Sequence, residues 1–150
     1  MVLKVFYQFV CKFVFMVADV VSDFESEVSE VLSGREEVLL GYIFGSYVEG
    51  REHEDSDLDI GILTNDSLGN KELFQLSELL EDALGVEPDV RVLNRADPRF
   101  VYNVLDKGRL AYKKNESIRI DFESAAMREY LDMKPFIDRH DKAVRERLTG

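Results

Sequence analysis

Apolar residues recur every three or four positions along several segments, and this spacing predicts helices with one buried face. The helices predicted in this way cover residues 17–32, 73–84, 98–107 and 121–150. Gly34, Gly85 and Gly108 stand where the first three should end, and Pro98 stands where the third should begin. Pro135 predicts a break in the last helix, because proline removes a backbone donor.

Compact apolar or alternating runs separate these helices and predict short strands. The predicted strands are residues 38–44, 57–64, 87–94 and 109–114. In the second run Leu58 and Ile60 alternate with Asp57 and Asp59, so one face should be buried and the other should carry carboxylates. Helices alternating with three or four strands predict an α+β fold, with a small mixed β-sheet flanked by helices in a single domain spanning 1–150.

The two ends of the chain need separate interpretation. The apolar start is interrupted by Lys4 and Lys12 and is too short to span a membrane, and no small-x-small cleavage pattern follows it. Residues 1–15 are therefore interpreted as an N-terminal extension, either packed on the domain or upstream of a natural start at Met16. Residues 118–148 are interpreted as a C-terminal helical segment.

Charge and cysteine content narrow the class of function. The formal net charge is −11, which argues against direct nucleic-acid binding because phosphates attract clustered Lys and Arg. An acidic surface is better suited to metal-complexed anions or to a basic protein partner. Cys11 is the only cysteine, so no internal disulfide is possible and a reducing cytoplasm is expected, with no membrane association.

Candidate chemistry is concentrated in the stretch GSYVEGREHEDSDLDIGIL, residues 45–63. Asp57 and Asp59 lie two positions apart on a predicted strand, so both should point to one side and could share a divalent cation. Asp89 would join them if the third strand lies beside the second. A cation would offset the repulsion between these carboxylates, and two neighbouring metals could activate a hydroxyl and stabilise a leaving pyrophosphate.

The Gly-Ser pair precedes this carboxylate pair by about ten residues. Gly45 would let the backbone approach a ligand closely, and Ser46 could offer its hydroxyl and N–H groups to a phosphate. Gly50 would allow the turn back towards the second strand. Each feature alone is common in turns and at solvated strand ends, and it is their joint spacing that indicates a site.

This spacing resembles the signature of the minimal nucleotidyltransferases, written Gly-Ser-x-Ala-Arg-Gly-x(5)-Ser-Asp-x-Asp, within the polymerase-β-like nucleotidyltransferase superfamily. Here Gly45-Ser46 and Gly50 are followed after five residues by Ser56-Asp57-Leu58-Asp59. Asp89 matches the third carboxylate of the family. The amphipathic tail DFESAAMREYLDMKPFIDRHDKAVRERL, residues 121–148, also resembles the C-terminal helix of the antitoxin members that pair with HEPN-type toxins.

The resemblance implies a polymerase-β-like fold and Mg²⁺-dependent transfer of AMP from ATP, with pyrophosphate leaving. It implies that Asp57 and Asp59 bind two Mg²⁺ ions and that Asp89 binds the catalytic one. Gly45, Ser46, Gly50 and Ser56 would hold the nucleotide. In the antitoxin branch the acceptor is a tyrosine hydroxyl of the cognate HEPN-type toxin, which implies a hetero-oligomer.

Two positions depart from the family pattern. Glu49 stands in place of the usual Arg, and Val48 stands in place of Ala. Arg51 or Arg91 could supply the missing positive charge. Two alternatives therefore stay open: a weak or inactive antitoxin that neutralises its toxin by contact alone, and a nucleotidyltransferase that modifies a small hydroxylated molecule.

Overall fold

The computed structural model describes residues 22–50 and 57–150. Residues 22–33 are helical and form α1. The elements that follow are β1 (Val38–Phe44), α2 (Ser46–Glu49), β2 (Leu58–Thr64), α3 (Asn70–Leu84), β3 (Pro88–Val92), α4 (Pro98–Lys107), β4 (Arg109–Lys113) and α5 (Glu116–Thr149). The predicted extension 1–15 lies outside the described residues.

The strands form one four-stranded sheet in the order β3-β2-β1-β4. β1 runs antiparallel to both β2 and β4, whereas β2 and β3 are parallel. The predicted α+β fold with a mixed sheet is thereby confirmed. In the described part of the chain no helix is both long and apolar enough to cross a membrane.

Helices cover both faces of the sheet, and each face has its own hydrophobic cluster. On one face α1 and α3 pack on the strands, and the buried residues are Val28, Leu32, Val38, Ile43, Leu58, Ile60, Ile62, Leu76, Leu80 and Leu84. On the other face α4 and α5 cover a smaller cluster, Leu40, Tyr42, Leu93 and Val104. The alternation of β2 therefore points Leu58 and Ile60 to the first face and Asp59 to the second.

The ends of the helices follow their capping residues. The Asp97 carboxylate accepts hydrogen bonds from the N–H groups of Arg99 and Phe100, and Pro98 occupies the first position of α4. The Asn115 side chain accepts from the N–H of Ile118 and starts α5 in the same way. These caps explain why α4 has the predicted bounds, 98–107.

The predicted break at Pro135 is wrong, because α5 continues through it as one helix of 34 residues. Most of the helix is exposed around this position, so water can reach the Leu131 carbonyl that loses its N–H partner. Arg139 Nε also donates to the Pro135 carbonyl, 3.2 Å away. The loss of one helical hydrogen bond is therefore tolerated without a break.

Candidate functional site

Two carboxylates meet on neighbouring parallel strands. Asp59 on β2 and Asp89 on β3 are register partners, and the Leu58 N–H donates to the Glu87 carbonyl at 3.0 Å just before them. Neighbouring strands lie about 4.8 Å apart, so both side chains leave the sheet side by side towards the α4 and α5 face. Asp57, two positions before Asp59, lies exposed at the entry to β2. The structure thus brings together Asp59 and Asp89 as predicted, with Asp57 at their edge.

The electrostatics of Asp59 reflect this crowding. Burial is the largest cause that raises the pKa of its carboxyl above the ordinary value, and the neighbouring charge of Asp89 is the next. The positive charge of Arg91 opposes the shift, whereas Asp57 adds to it. A carboxylate with a raised pKa beside two like charges is a site that gains from a bound cation.

The Gly-Ser turn lies directly against the carboxylate of Asp59. Gly45 follows β1 with φ 78° and ψ −153°, a conformation reserved for glycine. A Cβ at this position would lie 2.0 Å from Oδ2 of Asp59, so no other residue fits there. Ser46 then opens the short helix α2, and Gly50 closes it in the left-handed conformation with φ 67°. Gly50 thus has the turn-forming role that the sequence predicts, and the predicted ligand approach at Gly45 stays a prediction.

Arg91 also belongs to the site. Its Nε and Nη2 lie 3.0 and 2.9 Å from Oδ2 of Asp89, so it pairs with a carboxylate instead of standing free for a triphosphate. Its guanidinium carbon lies 5.5 Å from the centroid of the Phe100 ring, which in turn meets Phe44 edge to face. Sequence reasoning missed the aromatic pair and this use of Arg91. The i, i+2 spacing of Asp89 and Arg91 on a strand was the signal that could have found the pairing.

Tyr47 of α2 is half-buried and packs edge to face on Phe24 of α1, with ring centroids 5.5 Å apart. Ser56 and Arg51 lie outside the described residues, so their predicted roles stay predictions.

The carboxylates fit a Mg²⁺ site completed by substrate. Across 22–50 and 57–150, no three or more His, Cys, Asp or Glu residues are gathered closely enough to hold a metal on their own. Mg²⁺ is commonly bound by one or two carboxylates together with substrate phosphate oxygens, and the pair Asp59 and Asp89 meets that requirement. Asp57 lies close enough to add a third negative charge.

Comparison with known proteins identifies the family of this arrangement. The family model "Polymerase beta, Nucleotidyltransferase" matches residues 26–117, which run from α1 to the first turn of α5. The curated protein adenylyltransferase MntA of Shewanella oneidensis is 35% identical over 68 residues, or 45% of this chain and 49% of MntA. The match thus spans about half the length of that relative.

Solved structures share the fold over most of the chain. A chain from the crystal structure of a toxin–antitoxin with AMP-PNP has a TM-score of 0.66 and 23% identity, covering 84% of this chain and 98% of its own length. A chain from the complex of tri-AMPylated Shewanella oneidensis HEPN toxin with MNT antitoxin has a TM-score of 0.62 and 23% identity, with coverages of 85% and 97%. At this identity the likeness establishes the fold.

Proposed function

This chain belongs to the polymerase β nucleotidyltransferase family, and on that premise we propose that it transfers AMP from ATP to a tyrosine hydroxyl of a cognate HEPN-type toxin. One observation carries the proposal: the carboxylate of Asp59 lies against the Gly45 turn and beside its register partner Asp89. A cation held by this pair would lie beside a backbone turn that a phosphate can approach.

The reaction is a direct displacement at phosphorus. The acceptor oxygen forms a bond to the α-phosphorus, the bond from that phosphorus to the bridging oxygen breaks, and pyrophosphate leaves. The hydroxyl proton of the acceptor passes to solvent, so the products are the adenylylated acceptor, pyrophosphate and one proton. Asp57, Asp59 and Asp89 would hold Mg²⁺, which when bound would favour ionisation of the acceptor hydroxyl and neutralise charge on the leaving pyrophosphate.

The residues of the chain contribute mainly position and charge. The Gly45 turn brings the backbone directly against Asp59, since the place that a Cβ would take at position 45 is already filled by Oδ2 of that carboxylate. Asp89 is held on the adjacent strand by the parallel register, so its distance from Asp59 is fixed by the sheet. Fixed groups of this kind accelerate a reaction by orienting the reactants and by stabilising charge.

The partner is proposed from the surface of α5 and from the relatives. Ala126 is buried, but Met133 and Val144 follow it after 7 and 18 residues, close to whole numbers of helical turns, and both are exposed. The side of α5 that packs on the domain therefore continues as an exposed apolar face, which no other described residue buries. Phe136 and Leu148 are further exposed apolar residues of this part of the helix. Toxin–antitoxin complexes among the structural relatives support a HEPN-type toxin as the cover.

The acidic surface supports the same partner. With a net charge of −11, the chain would attract a ribonuclease whose own surface is basic enough to bind RNA. We set the reaction in the cytoplasm, in keeping with a chain whose single cysteine forms no internal disulfide.

Nucleotide-dependent stabilisation tests the site directly. ATP with Mg²⁺ should raise the melting temperature of the protein, because a ligand that binds only the folded state stabilises it. Asp57→Asn combined with Asp59→Asn should remove that shift. Asp66→Asn combined with Asp82→Asn, which changes the charge equally at exposed positions, is the matched control. A full shift in the first double variant would place the nucleotide elsewhere.

A second function, neutralisation by contact alone, is favoured by one residue. Glu49 closes α2 where the family pattern has Arg, so it adds negative charge beside the turn proposed to hold the triphosphate. A contact-only antitoxin would neutralise the toxin equally well without Asp59 or Asp89.

A further inference from the structure

Arg91 occupies one of the two oxygens of the Asp89 carboxylate, to which a cation would bind. Both of its donors, Nε at 3.0 Å and Nη2 at 2.9 Å, point at the same oxygen of Asp89. A carboxylate oxygen that accepts two N–H groups has little capacity left for a metal. Because Asp59 is the register partner of Asp89, the guanidinium also neutralises part of the charge of the pair.

The Arg91 guanidinium has a defined position in the structure. It lies over the Phe100 ring at 5.5 Å, and Phe100 is fixed by its edge-to-face contact with Phe44 and by the Asp97 cap at the start of α4. The Arg91 side chain is nevertheless 53% exposed. It can therefore leave Asp89 by rotating into solvent, without unpacking the core.

We propose that Arg91 is a resident counter-ion that holds Asp89 until a divalent cation displaces it. This inference rests on the proposed function. Like charges repel, so the guanidinium and the cation exclude each other from the same carboxylate oxygen. A metal ion without nucleotide must then displace Arg91 and gains only carboxylate ligands by doing so. Metal that arrives with a triphosphate brings further oxygen ligands and overcomes this competition.

A metal titration without nucleotide tests the competition. Mn²⁺ is the probe, and the free ion is followed by electron paramagnetic resonance in solutions of the wild-type protein and of Arg91→Gln. We expect Arg91→Gln to lower the Kd for Mn²⁺ about two- to fivefold, the size of an exposed ion pair. The Kd of Arg91→Lys for Mn²⁺ should lie between those of the wild type and Arg91→Gln, since a lysine ammonium keeps the positive charge but not the two-donor hydrogen bonding of the guanidinium.

Arg99→Gln is the matched control. Arg99 pairs with Asp141 between α4 and α5, and its side chain is 47% exposed, so its loss changes the net charge equally away from the carboxylates. It should leave the Kd for Mn²⁺ at the wild-type value. An unchanged or higher Kd in Arg91→Gln, while Asp59→Asn weakens binding, would overturn the counter-ion role and leave the metal site standing. Binding that Asp59→Asn does not alter would overturn both.

Discussion

The backbone of Gly45 lies so close to the carboxylate of Asp59 that a Cβ on the glycine would stand 2.0 Å from Oδ2. Gly45 has a second constraint, since its φ of 78° with ψ of −153° is a conformation that side chains strongly disfavour. The glycine therefore sets both the path of the chain and the distance between the turn and the carboxylates.

Gly45→Ala should destabilise the protein by at least the backbone strain, about 1–3 kcal/mol, and should displace Asp59. Gly85→Ala is the matched control, because Gly85 at the end of α3 also has a positive φ but nothing lies within 4 Å of its Cβ position. It should cost about 1–2 kcal/mol and keep nucleotide binding. Urea unfolding gives the free energy of unfolding of each variant. If both variants lost nucleotide affinity equally, the special role of Gly45 would be contradicted.

Asp59→Asn should stabilise the protein in the absence of ligands at neutral pH. The pKa of Asp59 is raised, first by burial and then by Asp89. The carboxyl therefore contributes stability below its unfolded-state pKa, about 3.9, and this contribution is lost as pH rises through the folded-state pKa. At pH 7 the ionised carboxylate therefore costs stability, which asparagine removes. Because solvent screens the partly exposed group, we expect about 1–3 °C in the melting temperature.

The pH series distinguishes this cause from a general effect of the substitution. The difference in stability between Asp59→Asn and wild type should shrink as pH falls through the raised folded-state pKa of Asp59, because the carboxyl then becomes protonated. Asp121→Asn on the exposed side of α5 is the control and should show no such trend. A variant that is less stable than wild type at pH 7 would contradict the repulsion described for the site.

Glu49→Arg should tighten ATP binding. The Glu49 N–H donates to the Gly45 carbonyl at 3.1 Å, so the residue lies one turn from the proposed phosphate position. Replacing a negative charge with a positive one should lower the Kd for ATP with Mg²⁺ about two- to tenfold. Calorimetric titration measures it, with Glu78→Arg on exposed α3 as the control for net charge. Equal gains in both variants would show that only overall charge matters.

The exposed face of α5 should bind the partner. Met133→Asp combined with Val144→Asp should weaken the complex with the cognate toxin more than tenfold, as expected when apolar contacts at the centre of an interface are lost. Both residues are exposed, so the melting temperature should change little. Phe74→Asp on α3, an apolar residue that is 65% exposed, is the control. Unaltered toxin binding by the double variant would contradict the assignment of this face.

Much of this fold follows from local signals. The predicted bounds of β1 and α4 match the structure because an uninterrupted apolar run, a proline start and a glycine stop define them within a few residues. The pairing of Asp59 with Asp89 depends on strand order and on parallel register. The sequence predicts it only if the third strand lies beside the second. The Arg91 pairing and the continuity at Pro135 depend on contacts and exposure that a local pattern does not contain.

The most direct measurement is the intact mass of the toxin after incubation with this protein, ATP and Mg²⁺. The account predicts added mass in steps of one adenylate, about 329 Da, located on tyrosine by peptide mapping. Asp57→Ala, Asp59→Ala and Asp89→Ala should each abolish the addition, whereas Asp121→Ala should not. Toxin that is neutralised without added mass, and equally well by the three variants, would contradict AMP transfer and support neutralisation by contact.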